Sequence, residues 1–438
     1  MQMAVDSANR KGILLEMVQV LTDLDLIISK SYISSDGGWF MDVFHVTDEA
    51  GKKLADETLM LHIQQELCAT RRSGEISREK GGQEQNAVAT EKTALEMSGR
   101  DRAGLLSELS AVLVELGCSV TSVTAWTHNN RVACIIFVEE ASQPGPISDP
   151  KRLAQVEEQL ENVVAAHGGT TEGKSVRVTT LGAGRTHTER RLHQLMYTNK
   201  DYESCRASDG DTSGEHKKGC DAMHVYVDRC DDKGYLVVNV RSRDRPKLLF
   251  DTVCVLTDMQ YVVFHAAISS NRSIADQALT YINIHLYFLT SESEKQKLTL
   301  CLIAAIERRV SHGLRVDIRT ENRMGLLSNV TRVFRENGLS ISRVEIGIEG
   351  EKANGSFFVT DCSGEEVNPN IVELVRRETG GSVVTNQNSP HRVRHSSSSF
   401  AIDDTKESVE AKPKFSLGSL LWSRLERLST GFGPVRSG

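Results

Sequence analysis

The chain has no basic excess, no long apolar run and no C-x-x-C pair. Its 438 residues carry 52 Lys and Arg against 59 Asp and Glu, a formal charge of −7. A generic electrostatic nucleic-acid binder needs the opposite balance. No apolar run approaches the roughly 18 residues of a membrane-spanning helix, so no membrane association is expected. The first residues, Met1-Gln2-Met3-Ala4-Val5-Asp6, lack the apolar stretch of a signal peptide. The nine cysteines are odd in number, and Cys118, Cys134, Cys254 and Cys301 sit inside apolar stretches. Buried free thiols in a reducing compartment are expected, which places the chain inside the cell, in cytoplasm and/or nucleus. H-E-x-x-H and G-x-S-x-G are both missing, so the common metalloprotease and serine-hydrolase chemistries find no support.

What is present is repetition. Length alone predicts about three domains of roughly 150 residues, or more if the units are small. Four segments carry one pattern: Asn9-Arg10-Lys11-Gly12, Asp101-Arg102-Ala103-Gly104, Asp244-Arg245-Pro246-Lys247 and Asn322-Arg323-Met324-Gly325. Each opens an apolar stripe. After Gly104 it reads Leu105, Leu106, Leu109, Val112, Leu113, Leu116; after Gly325 it reads Leu326, Leu327, Val330, Val333, Phe334. That spacing is one face of an α-helix.

Extended runs flank these helices. Lys92–Ser98, Tyr235–Val240 and Leu314–Ile318 precede motifs two to four, and a pair of strands follows each helix. Asp149-Pro150 and Asn368-Pro369 place a cap residue and proline at the start of a second helix, and Ser291 with Glu294 forms a capping box. The order is β-α-β-β-α-β four times, an α+β chain of ferredoxin-like units whose antiparallel sheets carry helices on one face. The first repeat spans 1–70, with a first strand expected to be short or missing. A linker covers 71–91, the second repeat 92–182, and a helix with a polar linker 183–220. In that helix Thr186 and Glu189 read as a capping box, with Leu192, Leu195 and Met196 as its stripe. The third repeat spans 221–312 and the fourth 313–385. A disordered tail is expected over 386–414, and an amphipathic helix over 415–438 through Leu417, Leu420, Leu421, Leu425 and Leu428.

The recurring D/N-R-x-G/K turns, with Asp244–Cys254 reading DRPKLLFDTVC, resemble ACT domains. Four in one chain are similar to the plant ACT-domain-repeat family, and to the repeats that end the bacterial uridylyltransferase/uridylyl-removing enzyme. The resemblance covers roughly residues 5–385. It implies a regulatory protein that binds free amino acids near the turn between first strand and first helix, and whose units pair side by side within or between chains. It further implies amino-acid sensing, a regulated protein partner and no cofactor. Carried onto this chain, the ligand-associated residues are Asn9, Gly12, Asp101, Gly104, Asn322 and Gly325. Asp244 and Lys247 are doubtful, because a lysine replaces the glycine.

Helix N-termini suit a carboxylate, and glycine permits close approach to the backbone. From the residues alone the turns read more readily as helix entrances shaped by Asp or Asn and relieved by Gly; the resemblance reverses that preference. Three other motifs are weaker. Gly168–Ser175 matches a phosphate loop, but a helix precedes it and a strand follows, the reverse of what phosphate binding needs. Asp209, Asp211, Ser213 and Gly214 begin like a calcium loop that has Cys220 in place of the final glutamate. Cys205, His216, Cys220, His224 and Cys230 lack zinc spacing. The expected function is a non-enzymatic regulator signalling amino-acid status. The alternative is an interaction scaffold whose repeats pair with partners and bind no ligand. A nucleotide-dependent enzyme survives only through the phosphate-loop match.

Overall fold

The computed structural model describes residues 1–8, 12–36, 39–54 except 49, 58, 60–63, 65, 92–141, 145–166, 175–181, 185–203, 223–230, 235–270, 274–283, 291–309, 313–349, 351–362, 367–368, 370–379 and 381–386. The expected linker, the polar segment 204–222, the tail and the leucine-striped C-terminal segment lie outside them. So do most of the phosphate-loop, calcium-like and Cys/His motifs.

Each motif glycine stops a strand and starts a helix for the same backbone reason. Gly12, Gly104 and Gly325 hold φ near +80°, the left-handed region that side chains disfavour. Lys247 takes the same conformation at φ 65°. The next residue enters a helix of equal length each time: α1 Ile13–Asp23, α2 Leu105–Glu115, then Leu248–Asp258 and Leu326–Glu336. Asp149 caps the second helix of repeat two, Pro150–Ala165, through the Lys151 N–H at 3.0 Å. Asn368 and Ser291 do the same for Asn370–Thr379 and Glu292–Glu307.

The repeats pair in an interleaved way, first with third and second with fourth. In the first sheet, β1 Gln2–Ala8, β2 Ile27–Asp36 and β3 Trp39–Thr47 join strands Tyr261–Ser270, Ile274–Asn283, Tyr235–Arg243 and His224–Cys230. The seam is antiparallel, with Ser34 opposite His265 and Lys30 opposite Ser269. In the second sheet, strands of residues 92–181 meet those of 314–386 along Cys118–His128 and Leu339–Glu349, where Trp126 faces Arg343. Both seams join the second strands of two repeats. Their first helices touch across the seam, and Ser110 and Thr331, at equivalent positions, hydrogen-bond at 3.2 Å.

Two expectations change. The first strand is neither short nor missing: Gln2–Ala8 pairs with β3 along its full length, and the Met1 ammonium donates to the Val46 carbonyl at 2.7 Å. Seven residues with Met3 buried suffice for an edge strand. The third repeat keeps the ferredoxin-like layout, but the strand beside Tyr235–Arg243 is His224–Cys230, which precedes it in the chain. In repeats two and four that place belongs to the closing strands Val176–Leu181 and Ser382–Asn386. Tyr281 is fully buried with its ring 4.7 Å from Tyr261.

The back of the second sheet is covered as well. Ile135 and Ile136 are both completely buried. Ile136 faces the helices, and Ile135 faces the helix Arg185–Thr198, whose Leu192, Leu195 and Met196 pack on Trp126, Ala133 and Phe137. The cover is this inter-repeat helix. Behind it lie Ile13–Asp23 and Leu248–Asp258 of the other sheet, so the molecule stacks as helices, sheet, bridging helix, helices, sheet. Burying an apolar strand on both faces is what its unbroken apolar sequence requires.

Candidate ligand-binding clefts

The motif turns are built alike. The Leu105 N–H donates to Arg102 O at 3.2 Å and the Leu326 N–H to Arg323 O at 3.1 Å. The strand ends are pinned by the neighbouring hairpin, Asp101 N–H to Asn130 O and Asn322 N–H to Glu351 O, both at 2.7 Å. The arginine of each described motif, unassigned in the sequence reading, has a structural task. Arg102 reaches the Val163 carbonyl at 3.4 Å, Arg245 the Ile306 carbonyl at 3.2 Å, and Arg323 the Glu378 carbonyl. Each carbonyl lies near the C-terminal end of that repeat's second helix, where orphan carbonyls and the negative dipole end favour a cation.

Three clefts open where a motif turn faces the first helix and second strand of the partner repeat. The largest, about 660 Å³ including its mouth, lies between the second repeat's turn and the fourth repeat's Arg335, Leu339 and Ile341. Its pseudo-symmetric mate, about 450 Å³, lies between Asn322–Ser328 and the second repeat's Ser110, Val114 and Cys118. The third, about 440 Å³, joins Asp244–Phe250 to Val18, Thr22 and Leu26–Ile28 of the first repeat.

The expected site residues are thus divided among separate clefts. Asp101 and Gly104 line one, and Asn322 and Gly325 another. Asp244 and Lys247 line the third. Asn9 lies outside the described residues, and a Cβ on Gly12 would meet nothing within 4 Å among them. The glycines serve backbone conformation more than ligand clearance. A Cβ on Gly325 would meet only Val114 Cγ2 at 3.7 Å, and one on Gly104 would meet the Arg335 side chain at 2.8 Å.

The electrostatics differ between clefts. The Asp101 carboxylate accepts the Arg102 backbone N–H, but burial outweighs that bond and raises its carboxyl to about 6. Asp244, its equivalent, accepts the Ser270 hydroxyl. The hydroxyl at the matching place in repeat two, Thr127, donates across the seam to Ser342 O at 3.0 Å. Lys247 turns to the bridging helix, where its Nζ lies 2.6 Å from Glu189. Glu189 binds both Lys247 and Arg309, the latter at 3.2 Å.

Around that contact lies a buried ionic cluster with no sequence signature beyond its residue types. Asp251 meets Arg309 at 2.6 Å, Arg245 at 2.8 Å and His193 Nε2 at 2.8 Å. Burial alone would raise the Asp251 carboxyl, yet Arg309 and then Arg245 hold it well below the usual range. Burial pushes the His193 imidazole down to about 4 despite Asp251. The Arg309 guanidinium also stacks on Trp126, 4.8 Å from the ring centroid.

Ferredoxin-like units joined edge to edge through their second strands, with clefts at the turn-to-helix junctions, define an ACT-domain repeat protein. Family models agree: the ACR family N-terminal ACT domain matches residues 2–74, and ACT-domain models match 94–174 and 315–380. The ACT domain-containing protein ACR1 of Arabidopsis thaliana is 50% identical over 97% of this chain and 91% of its own length. ACR4 of the same plant is 44% identical over 99% of the chain and 91% of its own length. The bifunctional uridylyltransferase/uridylyl-removing enzyme of Acinetobacter baumannii is 28% identical over 31% of this chain and 19% of its own. The chain belongs to the ACR family of ACT-domain proteins, a regulatory family of plants. No helix among the described residues is long and apolar enough to cross a membrane.

Proposed function

We propose that the chain is a non-enzymatic regulator that binds a free amino acid in the clefts between paired repeats and reports amino-acid status to a protein partner. The observation carrying this reading is the recurrence of one cleft, between a motif turn and the partner repeat, at three equivalent places. Each contains a helix N-terminus, whose free N–H groups and dipole suit an α-carboxylate. A ligand there touches both repeats, so occupancy strengthens the pairing and changes the surface offered to a partner. Among the described residues four cysteines are buried and free, which fits a reducing location, in cytoplasm or nucleus.

A thermal-shift screen of the twenty amino acids tests the reading. A ligand at 100 times its dissociation constant adds about 2.7 kcal/mol of stability. At least one amino acid should raise the unfolding temperature saturably. No shift with any of them favours the scaffold reading, which the internally paired Lys247 of the third cleft already suits.

A further inference from the structure

The two clefts of the second and fourth repeats are related by pseudo-symmetry, yet their chemistry is not equivalent. One turn carries Asp101, the other the neutral Asn322. Opposite Gly104 stands Arg335; opposite Gly325, at the equivalent helix position, stands Val114. The Asp101 carboxylate has no side-chain partner among the described residues, and the Arg335 guanidinium forms no ion pair among them. The N–H groups of Leu106 and Ser107 likewise have no backbone acceptor among them. Much of the remaining lining is apolar, Met97, Leu109, Ala125, Val132, Cys134 and Ile341, and its other two guanidinium groups, Arg102 and Arg343, are paired with Glu108 and Glu345. In the third cleft Asp244 is already bound by Ser270, Lys247 stands in place of the glycine and is bound by Glu189, and the neutral Thr22 takes the place of Arg335.

We infer that the cleft at the second repeat's turn selects an α-amino acid with an apolar side chain. Its ammonium rests on Asp101, its carboxylate on the Leu106 and Ser107 N–H groups beside Arg335, and its side chain on the apolar floor. This rests on the amino-acid-binding reading above and adds to it the class of ligand and the cleft. An anion and a cation held apart across a cleft match a zwitterion, whereas a neutral amide and a valine do not. A charged ligand side chain would be stranded on the apolar floor, at a cost that discriminates against aspartate or lysine. The matched ammonium restores to Asp101 the stabilisation that burial removed.

Calorimetry on the full chain with leucine and phenylalanine, then with the other eighteen amino acids, tests it. The des-amino analogue 4-methylpentanoate and the Asp101→Asn variant complete the set. Saturable binding of an apolar amino acid is expected. Loss of the ammonium from the ligand, or of the carboxylate from the protein, should each weaken it about tenfold or more, the value of one charge-assisted hydrogen bond. Circular dichroism checks the fold of Asp101→Asn, and the analogue makes the same test on the unaltered chain. If a polar or charged amino acid binds in preference, or if neither 4-methylpentanoate nor Asp101→Asn shows weakened binding, the inference falls and the amino-acid reading stands. If none of the twenty gives heat, both fall.

Discussion

At the scale of single residues, several buried polar groups lack partners, and they identify where the fold bears a cost. Asp42 lies fully buried on β3, opposite Val5 and Ile33, and neither carboxylate oxygen has a hydrogen-bond partner among the described residues. Burial raises its carboxyl to about 9, far above its ordinary 3.8. The folded state therefore holds a proton that the unfolded chain releases. The stability linked to this group is fully present below pH 3.8 and is lost as pH rises toward 9. Asp42→Asn removes the titration. Urea unfolding at pH 5 and pH 8 should show the variant gaining on the wild type as pH rises, by up to about 1.4 kcal/mol per pH unit. An equal difference at both values would refute the assignment. The motif turns show what was legible at this scale. Aspartate or asparagine, arginine and glycine recur in register, so the turns could be found. That glycine is there for φ near +80°, and arginine for a distant helix end, depends on contacts some 55 to 61 residues away.

At the scale of elements, the helices and most strands were readable because their signals are local: a 3.6-residue stripe, a cap, a turn. The helix after repeat two was visible through Leu192, Leu195 and Met196, but its role was not. It joins the two sheets through polar residues that single-sequence periodicity treats as surface. Arg191 forms a two-pronged pair with Glu96 of the second repeat at 2.6 and 2.8 Å. Glu189 and His193 reach the third repeat's Lys247, Arg309 and Asp251. Asp251 anchors this junction because three groups converge on it. Asp251→Ala would leave Arg245 and Arg309 buried without their main counter-charge, and breaking such a pair typically costs about 3–5 kcal/mol. Urea denaturation should register a loss of that order. A loss below about 1 kcal/mol, the range of exposed ion pairs, would show that the junction is not held there.

At the scale of the whole molecule, the least legible feature was which repeats pair. The edges that meet, Ser34 with His265 and Arg343 with Trp126, carry no charge code that a sequence reader could match. Interleaving follows from three dimensions: a repeat pairs with the one after next, and the bridging helix fills the space between the two sheets. The pairing of His224–Cys230 with the strand that follows it, Tyr235–Arg243, was hidden for a similar reason, since a strand's neighbour is set by pairing and not by order. The interleaving makes the clefts composite, because each has one wall from a turn and another from a repeat more than 200 residues away.

That composite character is the core of the functional account, and hydrogen–deuterium exchange on the full chain tests it most directly. The chain is compared with and without the amino acid that gives the largest thermal shift. Protection should rise together on both walls of the largest cleft, the turn 101–107 and the partner segment 335–343. Protection confined to one wall, or lying away from every cleft, would contradict the account.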